Sequence, residues 1–175
     1  MTRKQSVSIV LVAFLIAFLL YNVFIAIVWQ TSPNFFLAEW RTLDFFIYLL
    51  TVVITVYYAR FVVNQGFISF SEGWLVSIST TTLLLMGSLF TLYIWTEYLA
   101  PDTLPDYKKT LIERINTMKK EEIIQTFGTE ENSKAVVAAL PELGVMGILL
   151  DEAKKKAVLI LLFSVVIPAL FRRKA

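Results

Sequence analysis

The sequence predicts an all-α integral membrane protein with four transmembrane helices and a helical extramembrane segment between the third and the fourth. Hydrophobic residues make up 57% of the 175 residues and charged residues only 17%, whereas soluble domains have about 45–50% and about 25%. Six charged residues lie between Ser6 and Ala100, all at or near the edges of apolar runs. A bilayer imposes this distribution, because a charge at its centre costs several kcal/mol.

Long apolar runs place the four spans. A membrane-crossing helix needs about 20 apolar residues, and the runs predict spans at about residues 7–28, 45–63, 74–99 and 157–171. The fourth run is short, at about 22 Å against about 30 Å of hydrocarbon. We therefore expect lysines 154–156 at one end of it and the basic residues 172–174 at the other to extend outward to the headgroups.

Four tryptophans support these boundaries. They lie at or next to the predicted span ends, as in the aromatic belts of membrane proteins: Trp29, Trp40, Trp74 and Trp95.

The first apolar run is longer than the apolar region of a signal peptide and no cleavage motif follows it, so it is expected to be a retained span. The leading Arg3 and Lys4 favour cytoplasmic termini, although the lysines beside spans 3 and 4 make the two sides nearly equal in basic residues.

Residues 100–156 are the one long hydrophilic segment. Its first part has apolar residues at three- and four-residue spacing, which predicts an amphipathic helix with the face Leu104, Tyr107, Leu111, Ile115 and Met118. Gly128 and Thr129 fit a helix end and the N-cap of a second helix, roughly Glu130 to Leu140. These helices bury too little apolar surface to fold alone. The amphipathic face is therefore expected to contact a partner or the lipid surface.

Ser69 and Glu72 precede span 3 at the spacing of a capping box, in which each side chain bonds the other residue's amide. The alternative is that Glu72 carries a proton or a cation at the membrane edge.

Within span 3, hydroxyl residues share one helical face: Ser77, Thr81, Ser88 and Thr91. Small and hydroxyl residues mark close helix packing in lipid, so the face predicts a packing seam. The alternative is a hydrophilic stripe along a transport pathway.

Ionisable residues inside a membrane are functional candidates. In the four-span topology Arg41, Asp44 and Glu97 lie on the same side of the membrane, near span ends. They are expected to be interfacial charges solvated by headgroups; the alternative is a carboxylate pair that binds a hard cation or relays protons. Residues 148–156, after Gly147, are predicted to form an interfacial lead-in to span 4, with Asp151–Lys155 and Glu152–Lys156 at i,i+4 spacing.

Composition excludes several kinds of chemistry. The chain has no cysteine and no histidine, which excludes disulfides, thiolate catalysis and imidazole acid–base catalysis. It has no nucleophile elbow, phosphate-binding glycine loop or zinc-binding motif. No catalytic residue, metal ligand or cofactor is therefore predicted. Basic residues do not form a continuous face, which excludes nucleic acid as a partner.

The stretch GFISFSEG, followed by a hydroxyl-rich span and YLAP, resembles a bacterial membrane-protein family from Bacteroidota described as domain of unknown function 4199. Phe70 and Pro101 match its motifs best. The resemblance covers most of the chain and implies the four-span architecture and an inner-membrane location. It carries over no functional site.

Three hypotheses for function follow. The first is a non-enzymatic protein of the bacterial inner membrane that is structural or mediates interactions through residues 100–156, with the lipid bilayer and another membrane protein or a second copy as partners. The second is a small oligomeric transporter or channel subunit. The third, a membrane-embedded enzyme, is disfavoured because catalytic groups are lacking.

Overall fold

The computed structural model describes residues 1–32 and 34–172, and within these ranges every regular element is helical. The α-helices are α1 (Arg3–Thr31), α2 (Asp44–Tyr58), α3 (Phe70–Ile94), α4 (Thr103–Thr117), α5 (Lys120–Phe127), α6 (Glu130–Ala139) and α7 (Val145–Phe171). Helices α1, α2, α3 and α7 pack as a bundle. The three shorter helices form the segment between α3 and α7. The all-α prediction is confirmed.

Within the described residues, three helices are long and apolar enough to cross a membrane: Arg3–Thr31, Glu39–Val63 and Phe70–Leu99. They correspond to the first three predicted spans. The predicted fourth span is not among them, so the four-span detail is not confirmed. The reason is local, because every 18-residue stretch within α7 contains all three lysines of the run Lys154–Lys156.

Helix α1 begins at a capping box, in which the Thr2 hydroxyl accepts from the Gln5 amide at 3.3 Å. Its 29 residues give a length of about 44 Å. One stripe of the helix is buried in the bundle: Ile9, Ala17, Tyr21, Ile25 and Val28. The opposite face exposes aliphatic side chains such as Leu15 and Leu19, at 61% and 67%. Such a face belongs in lipid, where exposed apolar surface has no cost.

The connection from α1 to α2 folds over one end of the bundle. It contains two 3₁₀ turns, Phe35–Leu37 and Glu39–Leu43. The amide nitrogen of the Asn34 side chain donates to the Thr103 carbonyl at 2.9 Å, which ties this connection to the start of α4. The Trp29 ring lies 4.8 Å from the centroids of both Phe35 and Trp95. Two tryptophans of the predicted aromatic belt, Trp29 and Trp95, therefore pack together at this end of the bundle.

The tight turn between α2 and α3 requires a residue with a positive φ angle. Helix α2 continues through a π-helical turn, Ala59–Val63, and Gly66 then has φ +98°, a conformation that glycine adopts at little cost. The Arg60 guanidinium donates to the Gly66 carbonyl at 3.0 Å and to the Phe171 carbonyl at 2.8 Å. Arg60 therefore joins this turn to the C-terminal end of α7.

Helix α3 is the centre of the bundle. It packs against α1, α2 and α7 and makes the most extensive contacts of any helix. It continues through a second π-helical turn, Trp95–Leu99. Two of its glycines allow close approach. A Cβ built on Gly87 would lie 2.9 Å from the Phe18 ring of α1, and one on Gly73 would lie 3.0 Å from the Pro168 Cβ of α7.

The extramembrane segment is a chain of three helices. Helix α4 contacts the Phe35–Leu37 turn and α6. The chain becomes extended at Met118, a break that the sequence patterns do not predict, and restarts as α5. As predicted, Gly128 ends α5 with φ +80°, and the Thr129 hydroxyl caps α6 by accepting from the Asn132 amide at 3.1 Å.

Helix α7 is continuous from Val145, so the predicted lead-in to span 4 and the predicted span itself form one helix. Residues four apart face the bundle along its length: Ile148, Glu152, Lys156, Ile160, Ser164 and Pro168. The expectation that Lys156 extends outward was therefore wrong, because this lysine is 5% exposed. Lys154, Lys155 and Arg172 are exposed. Arg173 and Lys174 lie outside the described residues.

Candidate functional site

Four ionisable side chains meet inside the bundle and form what we call the ion network: Arg41, Asp44, Glu152 and Lys156. The Lys156 ammonium lies 2.6 Å from the Asp44 carboxylate. The Arg41 guanidinium donates to the Glu152 carboxylate at 2.7 Å. Glu152 and Lys156 are 3.9 Å apart, which joins the two pairs. Two cations and two anions make the network neutral as a whole.

Most of the network is buried in the bundle, but one side is open: the Arg41 side chain is 19% exposed, and the exposed Lys155 approaches the Glu152 carboxylate to 3.9 Å. Asp44 and Glu152 are each 6% exposed. Two buried tyrosines surround the lysine: its ammonium lies 5.2 Å from the Tyr21 ring centroid and 5.7 Å from the Tyr48 centroid. It also donates to the Tyr21 hydroxyl at 3.4 Å. Aromatic faces attract a cation, so the rings help to solvate a charge that water does not reach.

A second polar contact continues from the network into α3. The Tyr48 hydroxyl and the Ser88 hydroxyl are 2.7 Å apart and both residues are buried. Helices α1, α2, α3 and α7 all contribute a side chain to this region. The sequence positions them because each residue lies on the buried stripe of its own helix, at three- or four-residue spacing from other core residues.

The network extends from about the middle of the bundle toward the end at which α2 begins. The Gly73–Pro168 contact sets the level of α7 against the antiparallel α3. Lys156 is twelve residues before Pro168 and Leu85 is twelve residues after Gly73, so their backbones are level at equal helical rise. Leu85 is at the middle of the Phe70–Leu99 helix. The Lys156 backbone is thus near mid-depth, and its side chain extends toward Asp44 at the first residue of α2.

The burial of the ion network and its balance of two cations and two anions limit the roles it can have. A buried ion pair adds little net stability to a fold. Removing one partner, however, leaves the other charge buried without a counter-ion and destabilises the fold by about 3–5 kcal/mol. Such a network therefore fixes the partners of α7 specifically. Chemically, its carboxylates and its ammonium are also the groups that hold or exchange protons in membrane transport proteins.

The prediction for Arg41, Asp44 and Glu97 requires correction. Arg41 and Asp44 do come close, through Glu152. Asp44 is buried and paired with Lys156, so headgroups do not solvate it, whereas Arg41 is partly exposed and pairs with Glu152. Glu97 is exposed on the bundle surface and takes no part in it. Among residues 1–32 and 34–172, no group of three carboxylates could hold a metal ion.

Ser69 and Glu72 form both bonds of a capping box at the start of α3. The Ser69 hydroxyl accepts from the Glu72 amide at 3.2 Å, and the Ser69 amide donates to the Glu72 carboxylate at 3.1 Å. The other carboxylate oxygen accepts from the Met1 amino group at 3.0 Å. Glu72 therefore has structural partners for both oxygens, which favours the capping interpretation over a carrier role.

The hydroxyl face of α3 is buried, with Ser77, Thr81 and Ser88 at 0% exposure and Thr91 at 5%. Ser77 and Thr81 donate to carbonyls of their own helix, at 2.7 and 2.8 Å. The other two reach neighbouring helices: Ser88 contacts Tyr48, and the Thr91 hydroxyl donates to Asn22 of α1 at 3.2 Å. These partners favour a packing seam.

The face of α4 that was predicted to bind a partner packs against other parts of the same chain. Leu104 and Ile115 are buried, at 9% and 4% exposure. Tyr107 is partly buried, with its ring 5.6 Å from that of Phe36, and Leu111 and Met118 are also partly buried. The face therefore anchors the segment to the bundle. A charge introduced at Ile115 would disturb this packing and would not report on a partner.

A family model described as a protein of unknown function (DUF4199) matches residues 7–173. The chain belongs to this family. The resemblance seen at GFISFSEG is thereby confirmed, and the match extends over nearly the whole DUF4199 chain. No curated protein and no solved structure matches.

All four residues of the ion network lie within the part matched by the DUF4199 model. Sequence reasoning identified Arg41 and Asp44 as candidates but treated Glu152 and Lys156 as surface charges. A signal for the last two was present, because both lie in a stripe with Ile160 and Pro168 at four-residue spacing. Three consecutive lysines concealed it, since only one of them lies on that stripe.

Proposed function

We propose that the chain is a non-enzymatic, four-span protein of the bacterial inner membrane, with cytoplasmic termini, that mediates interactions through its extramembrane helices. Support for the fourth span comes from the ion network. Lys156 and Glu152 of α7 reach charges on α2 and near its start, inside a bundle whose other three helices are apolar enough to cross a membrane. This contact supports a membrane position for α7 as well.

Support for an interaction role comes from the surface of the α5–α6 hairpin. Within residues 100–144, the large apolar side chains that are exposed are Ile124 and Val136, at 47% and 37%. The hairpin is joined by an exposed ion pair, with 2.8 Å between Lys120 and Glu130. The bond to Glu130 raises the pKa of Lys120. The Ile124 and Val136 side chains are the exposed apolar surface that the segment offers to a partner.

We expect I124D and V136D to remove partners that co-purify with the wild-type chain in mild detergent. A charge at the centre of an apolar contact lowers affinity by about 2 kcal/mol or more, which is a loss of about 30-fold. Quantitative mass spectrometry of co-purified proteins measures the effect. T126D, on an exposed polar position of α5, is the control. An unchanged partner set for both apolar-site variants would rule out this surface.

A second candidate function is a small oligomeric transporter or channel subunit. The buried charges of the ion network favour it, because ionisable residues at membrane depth are typical of ion and proton pathways. The Ser164 hydroxyl lies on the same face of α7, is fully buried and has no hydrogen-bond partner among the described residues. An unpaired buried hydroxyl is where a bound water would be found.

The two functions differ in water access along α3. If the seam only packs, single cysteines at Ser77, Thr81, Ser88 and Thr91 are expected to stay unlabelled by a membrane-impermeant thiol reagent. The chain has no cysteine of its own, so labelling is unambiguous. A cysteine at the exposed Asn116 is the positive control. Labelling of consecutive seam positions would favour the transporter, and uniform protection would favour the interaction role.

A further inference from the structure

The outer surface of α7 carries charges where its neighbours present aliphatic side chains to lipid. Asp151 and Lys155 have side-chain exposures of 60% and 61%, and Lys154 between them is also exposed. Asp151 and Lys154 lie on the side of α7 that faces away from the ion network, whereas Lys155 lies beside it, 3.9 Å from the Glu152 carboxylate. Asp151 and Lys154 take no part in the function proposed above.

Their depth follows from two close contacts. Lys154 is fourteen residues before Pro168 and is therefore level with Gly87, fourteen residues after Gly73. Gly87 in turn contacts the Phe18 ring, and Phe18 lies near the middle of the apolar run of α1. At that depth α1 exposes only aliphatic side chains, such as Leu15 and Leu19. This step rests on the proposed fourth span, because it places α7 in the same bilayer.

Charged side chains at this depth need polar or charged neighbours that shield them from lipid. Ionisable side chains in membrane helices face protein or water and pair with one another. Asp151 and Lys155 form an ion pair at 2.6 Å within the chain. Among the described residues no carboxylate lies within 4.0 Å of the Lys154 ammonium.

The charged patch is part of a longer pattern that suits a helix partner. Asp151, Lys154, Val158, Leu161 and Val165 follow one another at spacings of three and four residues. The three aliphatic members are exposed at 67%, 57% and 46%. This is the spacing of a left-handed helix pair, in which one seam of side chains packs against the same seam of a neighbour.

We propose that this seam of α7 packs against the same seam of a second copy of the chain, in a parallel pair about a two-fold axis along the membrane normal. A two-fold contact brings one surface against itself, and this surface carries both signs of charge. Asp151 and Lys154 are one helical turn apart, so Lys154 of each copy reaches Asp151 of the other. Each lysine and each aspartate of the patch then has a partner of opposite charge.

Cysteine cross-linking in native membranes tests the contact. V158C and L161C are expected to form disulfide-linked dimers under mild oxidation with copper phenanthroline. L19C is the control, since Leu19 is 67% exposed on α1, about one and a half helical turns from the depth of Val158. We expect at least tenfold more dimer from V158C than from L19C. Equal yields from the two, or no dimer from V158C, would overturn the proposal.

A charge exchange tests the pairing itself. In the V158C background, D151K or K154D alone brings like charges together in both halves of the contact, and each is expected to reduce cross-linking about tenfold. When differently tagged D151K and K154D chains are co-expressed, opposite charges face each other again. The mixed dimer should then return to near the original yield. A mixed dimer as weak as either variant alone would contradict the pairing.

Labelling of N116C and R172C from the two sides of the membrane separates this proposal from the one on which it rests. If the two cysteines lie on the same side, α7 does not cross, and both the fourth span and the dimer fail. If they lie on opposite sides and V158C gives no dimer, the fourth span stands and the dimer alone is wrong. Opposite sides together with the V158C dimer support both.

Discussion

Replacing Lys156 by methionine is expected to destabilise the folded bundle by about 3–5 kcal/mol. The change removes the cation that lies 2.6 Å from the Asp44 carboxylate and leaves that carboxylate 6% exposed. Methionine keeps nearly the same length, so packing changes little. Asp44 must then either stay charged without a partner or take up a proton, and both cost free energy. Unfolding of the purified protein in detergent, followed by loss of helical circular dichroism, measures the difference.

Two further variants isolate the cause of that loss. K155M changes the neighbouring lysine, whose side chain is 61% exposed, and is expected to cost less than about 1 kcal/mol, because exposed ion pairs contribute little. The double variant D44L/K156M replaces both charges with apolar groups and is expected to recover most of the stability of the original pair. If K156M proved no less stable than K155M, the network would have no structural role.

Much of the fold follows from composition and spacing alone. Runs of apolar residues identify the first three spans, and Ser69, Gly128 and Thr129 mark helix ends because their local chemistry acts within a few residues. The break at Met118 does not follow in this way. It has no glycine or proline, and the chain turns there so that α5 can pair with α6. At the restart the Lys119 amide donates to the Glu122 carboxylate at 3.3 Å, so a local cap and the tertiary contact with α6 occur together at this break.

The ion network shows a second limit of reading the sequence. Hydropathy places Lys156 at the end of a span because its two preceding neighbours are also lysines, and a run of three lysines is typical of a membrane edge. The orientation of each lysine around α7 depends on a register set elsewhere, by Gly73 against Pro168 and by Arg60 at the Phe171 carbonyl. Helical phase alone indicates that Lys156 shares the buried stripe. Only the packed bundle supplies the partner at Asp44.

Because that register depends on a close approach, Gly73 is the second position where a single change should have a large effect. We expect G73V to destabilise the bundle by about 1–3 kcal/mol through overpacking. The added Cβ would meet the Pro168 Cβ at 3.0 Å, and a proline ring cannot rotate away. Any gain from replacing glycine within a helix opposes the loss, so the measured effect is a lower limit for the clash.

The same detergent unfolding assay measures this loss, with S71V as the control. Ser71 lies in the same turn of α3 and is exposed, and its hydroxyl lies 3.2 Å from that of Ser69. S71V therefore loses one exposed hydrogen bond but displaces no packed neighbour, and only a small change is expected. The double variant G73V/P168G moves the small residue to the other helix and should recover part of the loss. Because Lys156 reaches Asp44 only when α7 lies close to α3, G73V should also weaken the ion network. The effects of G73V and K156M are therefore expected to be less than additive, and full additivity would show that the helix contact and the ion network are independent.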